Sequence, residues 1–178
     1  MQSVERLRKL DSQHLLRYNY TKDLVYGKTV DVGCGWGPGT HVLSTGEKVT
    51  ETVGIDVVDP MLKEVRVTYP NIRFECQSIH DFREKFDSVV CIGVIEHIKD
   101  LEKTNQSLKA ILNPGGIFIY YVPYLEPKGT NIHHCLSMLD EDSFLDVFPN
   151  SEFLYQNRFG WVPKKKAFGI FGIYRHPA

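Results

Sequence analysis

Val30-Asp31-Val32-Gly33-Cys34-Gly35-Trp36-Gly37-Pro38-Gly39 runs from a short apolar strand straight into a glycine turn. Glycine carries no Cβ, so a ligand can come close to the backbone where Gly33, Gly35 and Gly37 stand. The stretch is not the dinucleotide fingerprint G-x-G-x-x-G. Started at Gly33, that pattern needs glycine where Pro38 stands; started at Gly35, it needs glycine where Thr40 stands. G-K-[ST] does not follow the turn either, which excludes a P-loop for nucleoside triphosphates. What remains is acid-x-Gly-x-Gly-x-Gly, with Asp31 offering its carboxylate to a ligand that carries an ammonium group.

On both sides of this turn, short apolar runs alternate with helical stretches. Thr29 to Val32, Thr52 to Ile55, Ile72 to Cys76, Ser88 to Ile92 and Gly116 to Val122 read as buried parallel strands. Asp59-Pro60 starts a helix that stops before Pro70, with Asp59 as its cap. Asp100 opens another, with Leu101, Leu108 and Leu112 on one face and Asn113-Pro114-Gly115-Gly116 as its end. Parallel strands need long crossovers, so the pattern predicts a sheet covered by helices on both faces. Later the pattern changes. A helix opened near Asp140 continues through Ser143 to Phe148, and Glu152 to Val162 and Ala167 to Tyr174 read as an antiparallel pair joined through Pro163-Lys166. Val4 to Val25 is helical in pattern and reads either as a helix on the sheet edge or as a lid over the ligand. The expected fold is a Rossmann-like three-layer α/β sandwich, a seven-stranded and mostly parallel sheet with an antiparallel last strand. Residues 1–178 are expected to form one domain, with 1–28 as its N-terminal segment.

Composition narrows the function. The chain has 178 residues, 42% hydrophobic and 24% charged, enough for one sizeable core. A net charge of -1 provides no clustered basic excess for nucleic acid or an anionic membrane. The dense basic run Lys164-Lys165-Lys166 reads as a solvated turn. Cys34, Cys76, Cys91 and Cys135 are scattered without a C-x-x-C pair, which argues for a reducing compartment. Met1 to Leu10 carries charges where a signal peptide needs apolar residues, and no run is long enough to span a bilayer, so a cytoplasmic location is expected.

The glycine turn, the acid that ends the second strand in Val53-Gly54-Ile55-Asp56, the segment Phe86-Asp87 followed by Ser88 to His97, and Leu112-Asn113-Pro114-Gly115-Gly116 together resemble the class I methyltransferases that use S-adenosylmethionine (SAM) and release S-adenosylhomocysteine. The likeness covers Thr29 to Val122 well and the rest more loosely. It implies that Asp31, Gly33, Cys34, Gly35 and Gly37 cradle the methionine end of SAM. Asp56 stands 21 positions after Gly35, a spacing suited to the ribose hydroxyls. The resemblance implies adenine between Val57 and Gln77-Ser78-Ile79, although this family often has aspartate near Ser78. Cys91 on the fourth strand is counted among the cofactor contacts. His14-x-x-Arg17-Tyr18 resembles a stretch that meets the SAM carboxylate, so Arg17 and Tyr18 join the set. Asn/Asp-Pro-Pro-Tyr is absent after the fourth strand, which disfavours a nucleic-acid or protein-amide acceptor.

Methyl transfer to a hydroxyl calls for a base, and histidine suits that task near neutral pH. His97 follows the fourth strand, and buried pairing with Glu96 is its structural alternative. Asn131-Ile132-His133-His134 resembles the Asn-x-x-His segment of small-molecule enzymes, with His134 matching the histidine and His133 beside it. The loop histidine pair could instead bind a metal with Glu96, as in catechol-type enzymes, but those use several acidic ligands that do not assemble from the sequence, so a metal is not expected. The expectation is therefore methyl transfer from SAM to an oxygen, or a nitrogen, of a small molecule. The pocket is either shallow or completed by a partner subunit in a homodimer. The rivals are a non-catalytic SAM-binding module and an NAD-dependent oxidoreductase.

Overall fold

The computed structural model describes residues 12–157 and 160–178. The N-terminal helix is seen as α1 (Ser12–Lys22); the part expected from Val4 lies outside the described residues. The chain continues through β1 (Gly27–Val32), α2 (Pro38–Ser44), β2 (Val49–Asp56), α3 (Asp59–Thr68), β3 (Arg73–Cys76) and β4 (Phe86–Ile92). A single 3₁₀ turn (Ile95–His97), α4 (Leu101–Ala110), β5 (Leu112–Pro123) and α5 (Asp142–Leu145) come next. After β6 (Glu152–Asn157), β7 (Gly160–Trp161) and a 3₁₀ turn at Lys164–Lys166, β8 (Gly169–Arg175) completes one sheet in the order β3-β2-β1-β4-β5-β8-β6-β7.

β1 to β5 are parallel, and β8 runs antiparallel between β5 and β6. The sheet has eight strands rather than seven, because the run expected as one strand from Glu152 to Val162 is divided into β6 and the two-residue β7, which pair antiparallel with each other. The central strands are buried on both faces, as parallel strands under helices must be. Val30, Val53, Val89 and Phe118 point into one core with Leu108 of α4. Val90, Ile92, Ile117 and Ile119 point into the other, against Tyr18 of α1 and Leu43 of α2.

Three local expectations change. Asp59 is the first residue of α3, not its cap; Val58 occupies the cap position, and Asp59 instead pairs with Lys63 at 3.0 Å. Asn113–Gly116 is the bulged start of β5 rather than a free turn, since the pairing jumps from Phe86↔Leu112 to Ser88↔Ile117. The helix after Asp140 is a four-residue turn, with the Asp140 side chain accepting from the Ser143 N–H at 3.1 Å. Asp100 caps α4 as expected, accepting from the Lys103 N–H at 3.0 Å, a contact worth about 1 kcal/mol. Among the described residues no helix is long and apolar enough to cross a membrane.

Candidate active site

The strand order reverses direction between β1 and β4, and ligands of open α/β sheets bind beyond the carboxyl ends of the strands at such a point. Gly33 leaves β1 and Gly93 leaves β4 there, with φ of 73° and 70°. A Cβ on Gly33 would lie 2.3 Å from Val94 Cγ2, so glycine is required by packing. Gly35 is different. A Cβ there would meet nothing within 4 Å, so its open face borders space that a ligand can fill. Asp56 ties the glycine turn to the next strand end: its Oδ2 accepts from the Gly35 N–H at 3.0 Å and its Oδ1 from the Val58 N–H at 3.1 Å. The Gln77 N–H donates to the Asp56 carbonyl at 3.0 Å, which brings the end of β3 into the same ring of backbone.

These segments enclose a pocket of about 250 Å³, lined by Gly33, Asp56, Val57, Gln77, Ser78 and Ile79 of the expected set. It is also lined by His80, Val94, His97 and Ile98, and of these only His97 was singled out from the sequence. A larger groove of about 690 Å³ lies along the opposite end of β2, by Val49 to Thr52 and Tyr69 to Arg73. It is away from the carboxyl edge, and no expected site residue borders it.

Seven of the expected cofactor contacts do not line this pocket: Gly35 borders open space beside it, a Cβ on Gly37 would meet Val65 at 2.8 Å, and the other five side chains are buried elsewhere. Asp31 is fully buried, with Thr40 Oγ1 donating to Oδ2 at 2.7 Å and the Tyr18 hydroxyl to Oδ1 at 3.1 Å. Burial pushes its carboxyl up to about 7, against the pull of the bonds from Thr40 and Tyr18. Asp31 therefore braces the turn from beneath. Tyr18 is spent on that bond and covers Gly39. Arg17 is buried, donating from Nε to Gln156 Oε1 at 2.6 Å, with its guanidinium 3.5 Å from the centre of the Tyr121 ring. Cys34 packs with Leu62, Val65 and Phe74, and burial drives its thiol well up. Cys91 sits in the main core between its strand neighbours. The side chains of α1 thus anchor it to β1, β5 and β6 on the face of the sheet, neither at its edge nor as a free lid.

On the other side of the pocket, the 3₁₀ turn after β4 meets the loop after β5. The Glu96 carbonyl accepts from the N–H groups of Cys135 and Leu136 at 2.8 and 3.0 Å. His97 and His134 pack edge to face with ring centres 4.8 Å apart. His97 Nδ1 lies 3.0 Å from the His133 carbonyl, and His134 Nδ1 is hydrogen-bonded to Glu126. The amide Nδ2 of Asn131 lies 3.0 Å from His134 Nε2, while Asn131 Oδ1 accepts from the His133 N–H at 3.0 Å. His133 contributes backbone; its side chain is exposed. Two acidic groups stand beside these histidines, Glu96, which the sequence already offers, and Glu126, which it does not. Glu96 is 4% exposed, and burial raises its carboxyl. Glu126, eight residues before His134 on a turn, carries no signal in the sequence that would single it out.

The chain is similar to known proteins in sequence and in fold. The human mitochondrial ubiquinone biosynthesis O-methyltransferase is 30% identical over 141 residues, which cover 72% of this chain and 36% of that protein. The ubiquinone biosynthesis O-methyltransferase of Actinobacillus pleuropneumoniae serotype 7 is 31% identical over 151 residues, covering 65% of this chain and 63% of its own. The chain thus spans between about a third and two thirds of the length of these relatives. In fold it is similar to the N-methyltransferase NodS of Bradyrhizobium japonicum, crystallised with S-adenosylhomocysteine, with a TM-score of 0.70, 16% identity and 99% and 98% of the two chains covered. The Methyltransf_11 family model, a methyltransferase domain, matches residues 30–120, and the chain belongs to that family.

Proposed function

We propose that the chain transfers the methyl group of SAM to an oxygen of a small-molecule acceptor. One observation carries this reading: the 250 Å³ pocket at the carboxyl edge is lined by Gly33, Asp56 and His97, and the Asp56 carboxylate holds the N–H of the open Gly35 beside it. The residues fit the cofactor in kind. Asp56 retains lone pairs for ribose hydroxyls, Val57, Ile79 and Ile98 offer apolar faces to adenine, and the bare Gly35 backbone admits the methionine end. When bound, the sulfonium supplies an electrophilic methyl group. The protein aligns the acceptor with it and receives the acceptor's proton, for which His97 lines the pocket and His134 packs against His97. The names of the two ubiquinone-pathway relatives support an oxygen acceptor. The four cysteines are unpaired, which supports a reducing compartment.

Calorimetric titration with S-adenosylhomocysteine, with NAD as control ligand, tests the cofactor. Binding that weakens about 10–100-fold in Asp56→Ala is expected. NAD binding, or no binding, would remove the reading. An acceptor screen with labelled SAM then tests turnover.

A further inference from the structure

We propose that Glu96, His97 and His134 bind a divalent first-row transition ion, which holds the acceptor's hydroxyl oxygen beside the methyl donor. One donor atom from each of the three side chains lies within 4.8 Å of the others, a spread that one ion can span after small rotations. Among the described residues this is the one such set. The Oε2 atom of Glu96 is buried without a hydrogen-bond partner. A buried carboxylate oxygen left unpaired is costly, and a cation is one of the few things that satisfy it.

The histidines are prepared as ligands are. Histidines that bind metals commonly give their other ring nitrogen to a carboxylate or a backbone carbonyl, which fixes the ring and its tautomer. His97 does this through Nδ1 to the His133 carbonyl, and His134 through Nδ1 to Glu126. Both Nε2 lone pairs are then the ones to offer; on His134 an ion would displace the Asn131 amide now 3.0 Å away. Two imidazoles with one carboxylate favour manganese, iron, cobalt or zinc over magnesium or calcium, which prefer oxygen ligands. Three protein ligands also leave open positions for the acceptor.

The inference rests on the reading of this rim as the acceptor side, and it changes the role of the histidines. As ligands they no longer take the proton. The acceptor hydroxyl on the ion loses its proton to water, because a bound cation lowers its pKa. The oxygen's electron pair then forms the O–C bond, and the C–S bond breaks with its pair going to sulfur, converting the sulfonium to a neutral thioether.

The test is electron paramagnetic resonance on the full chain, stripped with a chelator and titrated with manganese(II) chloride. One bound manganese(II) per chain, with nitrogen couplings from imidazole in the pulsed spectrum, is the expected result. Glu96→Gln and His134→Ala should each weaken binding tenfold or more. S-adenosylhomocysteine affinity, measured on the same samples, should be unchanged. Absence of binding, binding without nitrogen coupling, or equal binding by folded variants would overturn the proposal. Where a variant does not fold, the nitrogen couplings of the unmutated chain decide. If manganese(II) binds and S-adenosylhomocysteine does not, the cofactor reading fails while the ion site stands; the reverse outcome removes only the ion.

Discussion

The ends of β1, β2 and β3, which line the pocket, and the loop after β5, which packs on its His97, are built on different principles. On the first side the shape is made by backbone: glycine turns, the Gly35 N–H held by Asp56, and the Gln77 N–H held by the Asp56 carbonyl. On the second it is made by side chains, with Glu96, His97, Glu126, Asn131 and His134 fixed by contacts to one another. That loop also bends through two non-glycine residues in the left-handed region, Leu125 at φ 49° and Met138 at φ 57°, conformations that persist where surrounding contacts enforce them. A backbone cradle suits a ligand that does not vary, and a side-chain rim can be rebuilt for another acceptor by substituting a few residues.

If the two sides are independent, substitutions should separate them. The largest effect is expected from His134→Ala: a fall in turnover on the order of 10²–10⁴ with S-adenosylhomocysteine affinity unchanged by calorimetry. A parallel loss of affinity would show that the two sides are one unit.

The next effect belongs to the bracing beneath the cradle. Asp31 has Tyr18 against it from α1, Thr40 from α2 and Asp56 from the end of β2. With its carboxyl raised from 3.8 to about 7, the folded chain keeps a proton there that the unfolded chain loses between roughly pH 4 and 7. Stability therefore falls as pH rises through that window and levels off above it, by on the order of 4 kcal/mol in all. Asp31→Asn, having no charge to bury, should gain on the unmutated chain between pH 5 and pH 8 in denaturant unfolding. Parallel curves would show that Asp31 is not the group.

Gly33 and Gly35 give a finer comparison within the cradle. Gly33→Ala drives a Cβ into Val94 at positive φ and should destabilise by about 2–5 kcal/mol. Gly35→Ala, with open space around it, should cost about 1–2 kcal/mol and act chiefly on cofactor affinity. Thermal unfolding and calorimetry on both variants separate the effects, and equal destabilisation would refute the distinction. Asp56→Ala, comparable in size to Gly35→Ala, should lose about 10–100-fold in S-adenosylhomocysteine affinity from the missing charged acceptor, with turnover at saturating SAM little changed.

The sequence was informative where function is carried by local spacing. Gly33, Asp56 and the trio Gln77-Ser78-Ile79 could be placed because each follows directly on a strand, so its position at the carboxyl edge comes with the strand assignment. Asp31, Arg17 and Tyr18 show the limit of spacing: a charged or polar residue next to a ligand motif looks the same in sequence whether it faces the ligand or, as their hydrogen bonds have it, braces the motif from behind. The union of Glu96, His97 and His134 depends on a loop returning after β5, and no periodicity encodes such a return. The division of the last strands was hidden too, since Glu152 to Val162 reads as one run while the chain folds it into a hairpin.

The place of β8 also bears on the order of assembly. β8 fills the gap between β5 and β6, yet it is made after both. At synthesis rates of about 5–20 residues per second, β5 waits at least a few seconds with its outer backbone edge open, from the completion of Pro123 until Gly169 to Arg175 arrive. An open edge rich in buried side chains is a template for pairing with another chain. β8 is thus the strand that covers the outer edge of β5, and that edge stays exposed to pairing with another chain until β8 has been made.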